Sequence, residues 1–330
     1  MITDTRERII EFITRYKQAR VHDLASELKI GNTAIHRQLN KLIDADILRK
    51  IGKPPLVFYI LNNETFIEES VVPKVIQKKI DASYLYVSTD GRLVYGFKGF
   101  VEWVNKIHEE KKLLQLAEEY LQTLEIAKRN FATQGWIDAT EKIKNTFKED
   151  SSLDKLLYGD FYSLPKFGKT KLGQLVLYAK QSQSKELIRE VAKIVEPLIE
   201  KVIKEFKIDA VAFIPPTIPR NTQFMDELAS LLKLALPKVE LVKVSGEVLI
   251  PQKTLSSLGE RVANARETIY MRHIAEASYP NMLLIDDAAG SGATLNEVSK
   301  KLKSVMVGKN RIIGLVMVGS LKGFDVIREI

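Results

Sequence analysis

Apolar positions recur at helical spacing near the start of the chain, at Ile9, Ile10, Phe12 and Ile13, and again at Leu24, Ala25 and Leu28. Two amphipathic helices are therefore expected, over 5–16 and 21–28. Gly31 ends the second, Asn32 or Thr33 can cap a third over roughly 33–45, and Ile35, Leu39, Leu42 and Ile43 face inward. ILRKIG and PLVFYIL follow as β-rich runs around Gly52, Pro54 and Pro55. Beyond residue 62, Asp90-Gly91 between alternating runs predicts a hairpin. A long amphipathic helix is expected over about 101–131 and a shorter one to about 148, with the EEKK block at 109–112 as a solvated face. From about 151 the pattern alternates: helix 185–206, strand 210–214, helix 222–236, strand 239–244, strand 282–285, a helix starting near Thr294, and strand 311–319. That alternation predicts an α/β unit with a mostly parallel sheet covered by helices. The expected division is 1–62, an α+β connector over 63–150, and 151–330.

Composition narrows this picture. A length of 330 residues suits about two domains, and 45% hydrophobic with 28% charged residues suits a folded globular chain. The absence of Cys removes disulfides, thiol nucleophiles and thiolate zinc sites. The four His (His22, His36, His108, His273) form no H-E-x-x-H pattern. No apolar run approaches the roughly 18 residues of a membrane span, and MITDTRERII has no signal-peptide core, so a cytoplasmic protein without membrane association is expected. The net charge of +8 hints at a polyanionic partner.

The N-terminal order of helix, short helix, Gly-containing turn, helix and hairpin closely resembles a winged helix-turn-helix, with LASELKIGNTAIHRQLNKLIDADILRKIG as second helix, recognition helix and wing. In such a module the third helix hides Ile35, Leu39 and Leu42 and shows Thr33, His36, Arg37, Asn40 and Lys41. Arg and Asn carry the donor pattern that reads base edges in the major groove of double-stranded DNA. Arg49, Lys50 and Lys53 in the wing would meet phosphates. Eleven Lys and Arg against seven Asp and Glu in residues 1–62 make the segment only mildly basic. A winged helix used for protein contacts is the alternative.

NMLLIDDAAGSGATLNE (281–297) carries the most chemistry. An apolar strand ends in Asp286 and Asp287, where α/β sheets place ligand sites. Gly290 and Gly292 permit a tight loop whose N–H groups point inward, and the loop runs into a helix N-terminus near Thr294 that favours phosphate. Ser291 and Thr294 hydroxyls add donors. Two carboxylates suit sugar hydroxyls and a nearby Mg²⁺, so a ribose 5-phosphate group satisfies both ends. A dinucleotide fingerprint fails because Leu295 holds the third glycine position. A P-loop at Gly168-Lys169-Thr170 fails because Ser163 replaces its first Gly and no strand is read ahead of it. The bland alternative is a strand-to-helix turn that happens to carry two acids.

The string strongly resembles the phosphoribosyl pyrophosphate motif of type I phosphoribosyltransferases, with Ser291-Gly292-Ala293-Thr294 as its ending and Ala288 and Gly290 where Val and Thr are commoner. Residues 208–232 resemble the pyrophosphate-loop region of ComF-type members, with Pro215, Pro216, Thr217, Arg220, Asn221 and Gln223 in place. Residues 251–270 resemble their mobile loop through Gln252, Lys253, Arg261 and Asn264, and 163–199 resemble the segment that opens the ComF domain. The usual Cys-rich zinc module is replaced here by the winged helix. The resemblance implies a phosphoribosyltransferase-like domain that binds phosphoribosyl pyrophosphate with Mg²⁺. Asp286 and Asp287 would hold the ribose hydroxyls and the metal shell, with no direct metal ligand. Residues 288–294 (Ala288, Ala289, Gly290, Ser291, Gly292, Ala293, Thr294) would hold the 5-phosphate. Pro216, Thr217 and Arg220 would line the pyrophosphate side, where Arg220, Lys253 and Arg261 neutralise the departing group; ordinary surface charge is the alternative for these three. The acceptor pocket would come from about 155–170. Two functions are implied: a DNA-binding regulator, dimeric on a symmetric operator through residues 63–150, with the sugar phosphate or a nucleotide as effector; or an active phosphoribosyltransferase addressed by its winged helix to DNA or a partner. A nucleic-acid-handling role in uptake or defence is a third, weaker reading.

Overall fold

The computed structural model describes residues 4–62, 71–129, 135–272, 279–306 and 310–321, except the side chains of Lys128 and Lys253. The chain divides into two compact units, one built from residues 1–70 with 88–92 and 104–110, the other from the remainder.

In the first unit, α1 (Thr5–Tyr16), α2 (Val21–Leu28) and α3 (Asn32–Asp44) precede an antiparallel hairpin of β1 (Leu48–Lys53) and β2 (Leu56–Leu61). Asp4 caps α1, and Ala19 bridges Tyr59, so the link between α1 and α2 adds a short third edge to the hairpin. Ile9, Ile13, Leu24, Leu28, Ile35, Leu39, Leu42, Leu48 and Tyr59 form one closed core. The helical spacing pointed seven of these inward; Ile10, Phe12, Ala25 and Ile43, also expected there, are only partly buried against the core, and Leu48 and Tyr59 come from the hairpin.

The second unit begins with α4 (Lys74–Ser83) and a ribbon of β3 (Leu85–Val87) with β4 (Leu93–Tyr95). The hairpin forms where Asp90-Gly91 predicted it, but through the loop 88–92 with only Gly91 left-handed (φ +80) rather than as a two-residue turn. The long helix expected over 101–131 is two helices, α5 (Gly96–Lys106) and α6 (Leu113–Arg129). Between them His108 takes a left-handed backbone (φ 57) and Glu110–Lys112 form a 3-10 turn. The break lets two apolar stripes converge, and Phe100 and Tyr120 both pack on Tyr84, with ring centroids 5.2 Å away. β5 (Ile137–Asp138) and α7 (Thr140–Phe147) follow.

β6 (Lys155–Phe161) is a strand that the sequence reading missed, so the P-loop comparison lost one of its stated grounds. What separates the segment from a phosphate loop is the small hairpin of β7 (Ser163–Leu164) and β8 (Gly168–Lys169), after which Thr170 accepts a hydrogen bond from the Gly173 N–H (3.0 Å) and caps α8 (Lys171–Ser182). Then come α9 (Lys185–Phe206), β9 (Ala210–Phe213), α10 (Phe224–Leu232) and β10 (Leu241–Lys243). α11 (Leu258–Thr268) leads into β11 (Ile269–Met271), followed by β12 (Asn281–Ala289), α12 (Ala293–Val305) and β13 (Arg311–Gly319).

The five-stranded sheet has the order β5-β6-β13-β12-β9; β6, β13, β12 and β9 are parallel and β5 is antiparallel at the edge. The unit is therefore α/β with a mostly parallel sheet, and elements on both sides of residue 150 build it. β10, expected in that sheet, pairs instead with β11 in a separate antiparallel ribbon; only the chain at Lys238 bridges the sheet edge at Val211. β13 reads as an unbroken apolar run because it is buried on both faces. Val176, Val195 and Leu228 from α8, α9 and α10 share one core with Leu157, Val211, Leu283 and Leu315 of the strands. On the other face the Asn296 carboxamide of α12 accepts from the Ser152 N–H at 2.8 Å. Residues 63–70, 130–134 and 273–278, including His273, lie outside the described residues. No helix among the described residues is long and apolar enough to cross a membrane.

Candidate functional site

The C-terminal end of β12 opens into a cavity of about 480 Å³ in the second unit. This is the position a parallel sheet dictates for a ligand, because the loops that leave its carboxyl ends diverge there. Asp286 and Asp287 line it, followed by Ala288, Ala289, Gly290, Ser291, Gly292, Ala293 and Thr294. Gly292 has φ +79 and is the N-cap of α12. A side chain there would carry both the left-handed strain and a 2.9 Å approach to Ile143 of α7. The Ser291 hydroxyl accepts from the Ala293 N–H at 3.3 Å, and the Asn296 N–H closes on the Gly292 carbonyl at 2.9 Å. The loop therefore turns directly into a helix N-terminus, whose amides and dipole favour an anion.

The two acids are not equivalent. Asp287 pairs with Lys180 at the end of α8. Burial opposes its ionisation and is the largest single effect, but the Lys180 charge together with hydrogen bonds from Asp286 and Lys180 outweighs it and holds the carboxyl below its usual range. Asp286 accepts the Asp287 N–H at 2.8 Å, yet burial and then the adjacent Asp287 charge push it well above that range. The two acids are thus pushed in opposite directions, Asp287 toward the carboxylate and Asp286 toward the protonated form. Among the described residues no group of three His, Cys, Asp or Glu could cage a metal. Two adjacent carboxylates fit a Mg²⁺ that keeps most of its shell as water and ligand oxygens.

Pro215, Pro216, Thr217 and Arg220, on the irregular segment after β9, also line the cavity. The Arg220 guanidinium donates to the Lys180 carbonyl at 2.7 Å, so Lys180 touches the acid pair through its side chain and the Arg220 loop through its backbone. Gln223 donates to the Ile218 carbonyl at 2.9 Å and closes the turn that Arg220 rides on. Asn221 is exposed and is not part of the lining.

From the other side come Lys243 of β10, Gln252 and Arg261 of α11. Arg261 is buried and donates to the Leu255 carbonyl at 3.1 Å. Asn264 does not line the cavity; its side-chain Oδ1 accepts from Lys243 (3.1 Å) and Gln252 (3.2 Å) and holds both. Burial pulls the Lys243 ammonium below its usual range, while Asp286 acts against that. The backbone of Lys253 lies in the 3-10 turn Gln252–Thr254, and its side chain is outside the described residues.

No family model matches the chain, and no curated protein matches it. Among solved structures it is similar to a hypoxanthine phosphoribosyltransferase from Staphylococcus aureus, with 17% identity over 40% of this chain and 64% of that one and a TM-score of 0.23. It is also similar to an adenine phosphoribosyltransferase from Leishmania tarentolae, with 14% identity over 49% of this chain and 91% of that one and a TM-score of 0.23. The chain spans just under two thirds of the length of the Staphylococcus protein. Neither overlap is close enough to assign a fold on its own.

Sequence reasoning missed Lys180 and Lys243 as lining residues. Tyr162 and Lys169 line the cavity from within the 155–170 segment expected to form the acceptor pocket, although neither was singled out there. Three stand on or beside elements that the sequence hid: Tyr162 follows β6, Lys169 lies in β8 and Lys180 is on α8; Lys243 ends β10, which was expected as a strand of the main sheet.

In the first unit, Thr33, His36, Arg37, Asn40 and Lys41 are all exposed on α3, opposite buried Ile35, Leu39 and Leu42. Lys50 and Lys53 of the hairpin are exposed as well. Arg49 is the exception: it donates to Asp90 at 2.8 Å, and its charge is engaged within the unit.

Proposed function

We propose that this protein is a DNA-binding regulator whose second unit binds phosphoribosyl pyrophosphate, or a nucleotide derived from it, with Mg²⁺. The observation that carries the ligand reading is the run from Asp286 to Thr294 in a cavity at the carboxyl end of a parallel sheet. The acid pair meets the ribose hydroxyls, which donate hydrogen bonds. The amides of residues 290–294 take the 5-phosphate at the N-terminus of α12. Arg220, Lys243 and Arg261 face the diphosphate. Mg²⁺ would be held by Asp286, Asp287 and ligand oxygens, and would offset the charge of the diphosphate.

The DNA reading rests on the polar, exposed face of α3 over a closed core, in a three-helix and hairpin unit that fits a winged helix-turn-helix. Thr33, His36, Arg37, Asn40 and Lys41 would meet base edges, and Lys50 and Lys53 the phosphates; a symmetric operator would call for a homodimer. An effector regulates only if its affinity differs between two states of the protein. The test is a fluorescence-anisotropy titration of operator DNA with and without saturating phosphoribosyl pyrophosphate and Mg²⁺. A shift in DNA affinity worth about 1–3 kcal/mol is expected. No shift would remove the regulatory reading.

A second reading, a phosphoribosyltransferase, is favoured by the cations around the cavity. Arg220, Lys243 and Arg261 outnumber what a 5-phosphate needs, and pyrophosphate leaving carbon 1 would use the excess.

A further inference from the structure

Lys169 and Tyr162 also line the cavity, from the β6 side of the sheet. Tyr162 follows β6, its N–H bonded to the Gly319 carbonyl at 2.9 Å. β6 lies two strands from β12, on the side away from β9 and the Arg220 loop. α8 runs from this end to the other: Thr170 caps its start, and Lys180 reaches Asp287 from its last turn. Ten residues of helix span roughly 15 Å. Lys169 is therefore about one helix length from Lys180 and the Arg220 loop that meets it, and in the sheet order β12, which carries the acid pair, lies between β6 and β9.

The other described cations of the wall have partners. Lys180 has Asp287, Arg220 has the Lys180 carbonyl, Lys243 has Asn264 and Arg261 has the Leu255 carbonyl. Among the described residues no acid pairs with Lys169; its ammonium sits 5.7 Å from the centre of the Tyr162 ring. It is half-buried, and burial alone pulls its pKa below the usual range. A partly desolvated ammonium without a counter-ion is unfavourable, and an incoming anion relieves it. Beside it the Tyr162 ring and Val176 supply apolar surface. Burial, then Tyr178 and Asp287, push the Tyr162 hydroxyl up to about 12, so it remains a donor at neutral pH. One ammonium and one hydroxyl beside a flat apolar wall match the two oxygens of a carboxylate on an aromatic ring. A second phosphate would ask for more donors than this end offers. A neutral base would leave Lys169 uncompensated.

We propose that the cavity takes a second ligand beside the sugar phosphate, a single-ring aromatic or heteroaromatic carboxylate held by Lys169 and Tyr162. This rests on the reading that the loop before α12 holds the phosphoribosyl group. The ligand would approach the sugar from the side opposite the diphosphate, where an acceptor belongs in a displacement and where a co-effector would close the cavity.

The test is calorimetry on the full chain with matched pairs, benzoate against benzamide and nicotinate against nicotinamide, each with and without phosphoribosyl pyrophosphate and Mg²⁺. The carboxylates should bind at least tenfold more tightly than the amides. Lys169→Gln should bring each pair within twofold of one another, and Lys169→Arg should restore the preference. Amides that bind as well as the acids, or a preference that survives Lys169→Gln, overturn the proposal. The wild-type comparison needs no variant to fold. The sugar-phosphate titration, run in parallel, separates the two ideas: sugar phosphate bound without carboxylate preference overturns this inference alone. A Lys169-dependent preference without sugar-phosphate binding supports the carboxylate site and overturns the function proposed above.

Discussion

Asp286 is the residue on which binding and stability pull in opposite directions. Burial and the Asp287 charge raise its pKa in the folded protein. A raised carboxyl favours the fold below its unfolded value, and that contribution is lost as pH rises through the folded one. Asp287 has the opposite sign: its pKa is lowered, so its contribution is present above the unfolded value and is lost as pH falls through the folded one. Asp286→Asn removes the like-charge neighbour, so Tm at pH 7 should rise and its pH dependence should flatten, whereas sugar-phosphate affinity should fall at least tenfold, the order of one charged hydrogen bond. Differential scanning calorimetry across pH reads the first, titration calorimetry the second. A Tm that falls at pH 7 would contradict the assignment of the raised pKa to this acid. The Asp-Asp pair itself was legible, since acids directly after an apolar strand have few structural uses. That Lys180 neutralises one of them was not, because the helix carrying it begins within a Gly- and Lys-rich stretch that gives no clean period.

Two elements carry the proposed contacts, and each can be disturbed alone. The turn into α12 depends on the left-handed Gly292. Gly292→Ala should cost about 1 kcal/mol of stability and weaken sugar-phosphate binding by misplacing the first amides of α12. Denaturant melts and titration calorimetry check both; unchanged affinity would show that those amides do not hold the phosphate. α3 differs because its polar face is not part of its core. Arg37→Ala and Asn40→Ala should leave Tm unaltered and weaken specific DNA binding by about 1–3 kcal/mol per base contact, measured by gel shift against a nonspecific duplex. Equal loss on both duplexes would reduce α3 to a charge contact. The elements that were legible have a single strong period, as in α1, α3 and α9, or one unbroken apolar run, as in β13. β6 was hidden because Gly159-Asp160 interrupts its apolar run. The break between α5 and α6 was hidden because Glu and Lys are good helix formers, so the 107–112 segment carries no Gly or Pro to mark it. β10 reads as a sheet strand because the sequence does not show that it pairs with residues 269–271.

At the scale of the molecule, α/β alternation in the last half of the chain predicted the parallel sheet, and the sheet's carboxyl end positions the acids and the loop. Local patterns could not show that α7 packs with elements more than a hundred residues away. Ile143 beneath Gly292 is an example. The central claim is that this cavity binds phosphoribosyl pyrophosphate. The most direct measurement is calorimetric titration of the full chain with that compound and Mg²⁺, with pyrophosphate release assayed in the same samples. The account predicts saturable one-to-one binding that Asp286→Asn with Asp287→Asn abolishes, without release in the regulator. Affinity that the double variant leaves unchanged, or no binding by the unaltered protein, would contradict it.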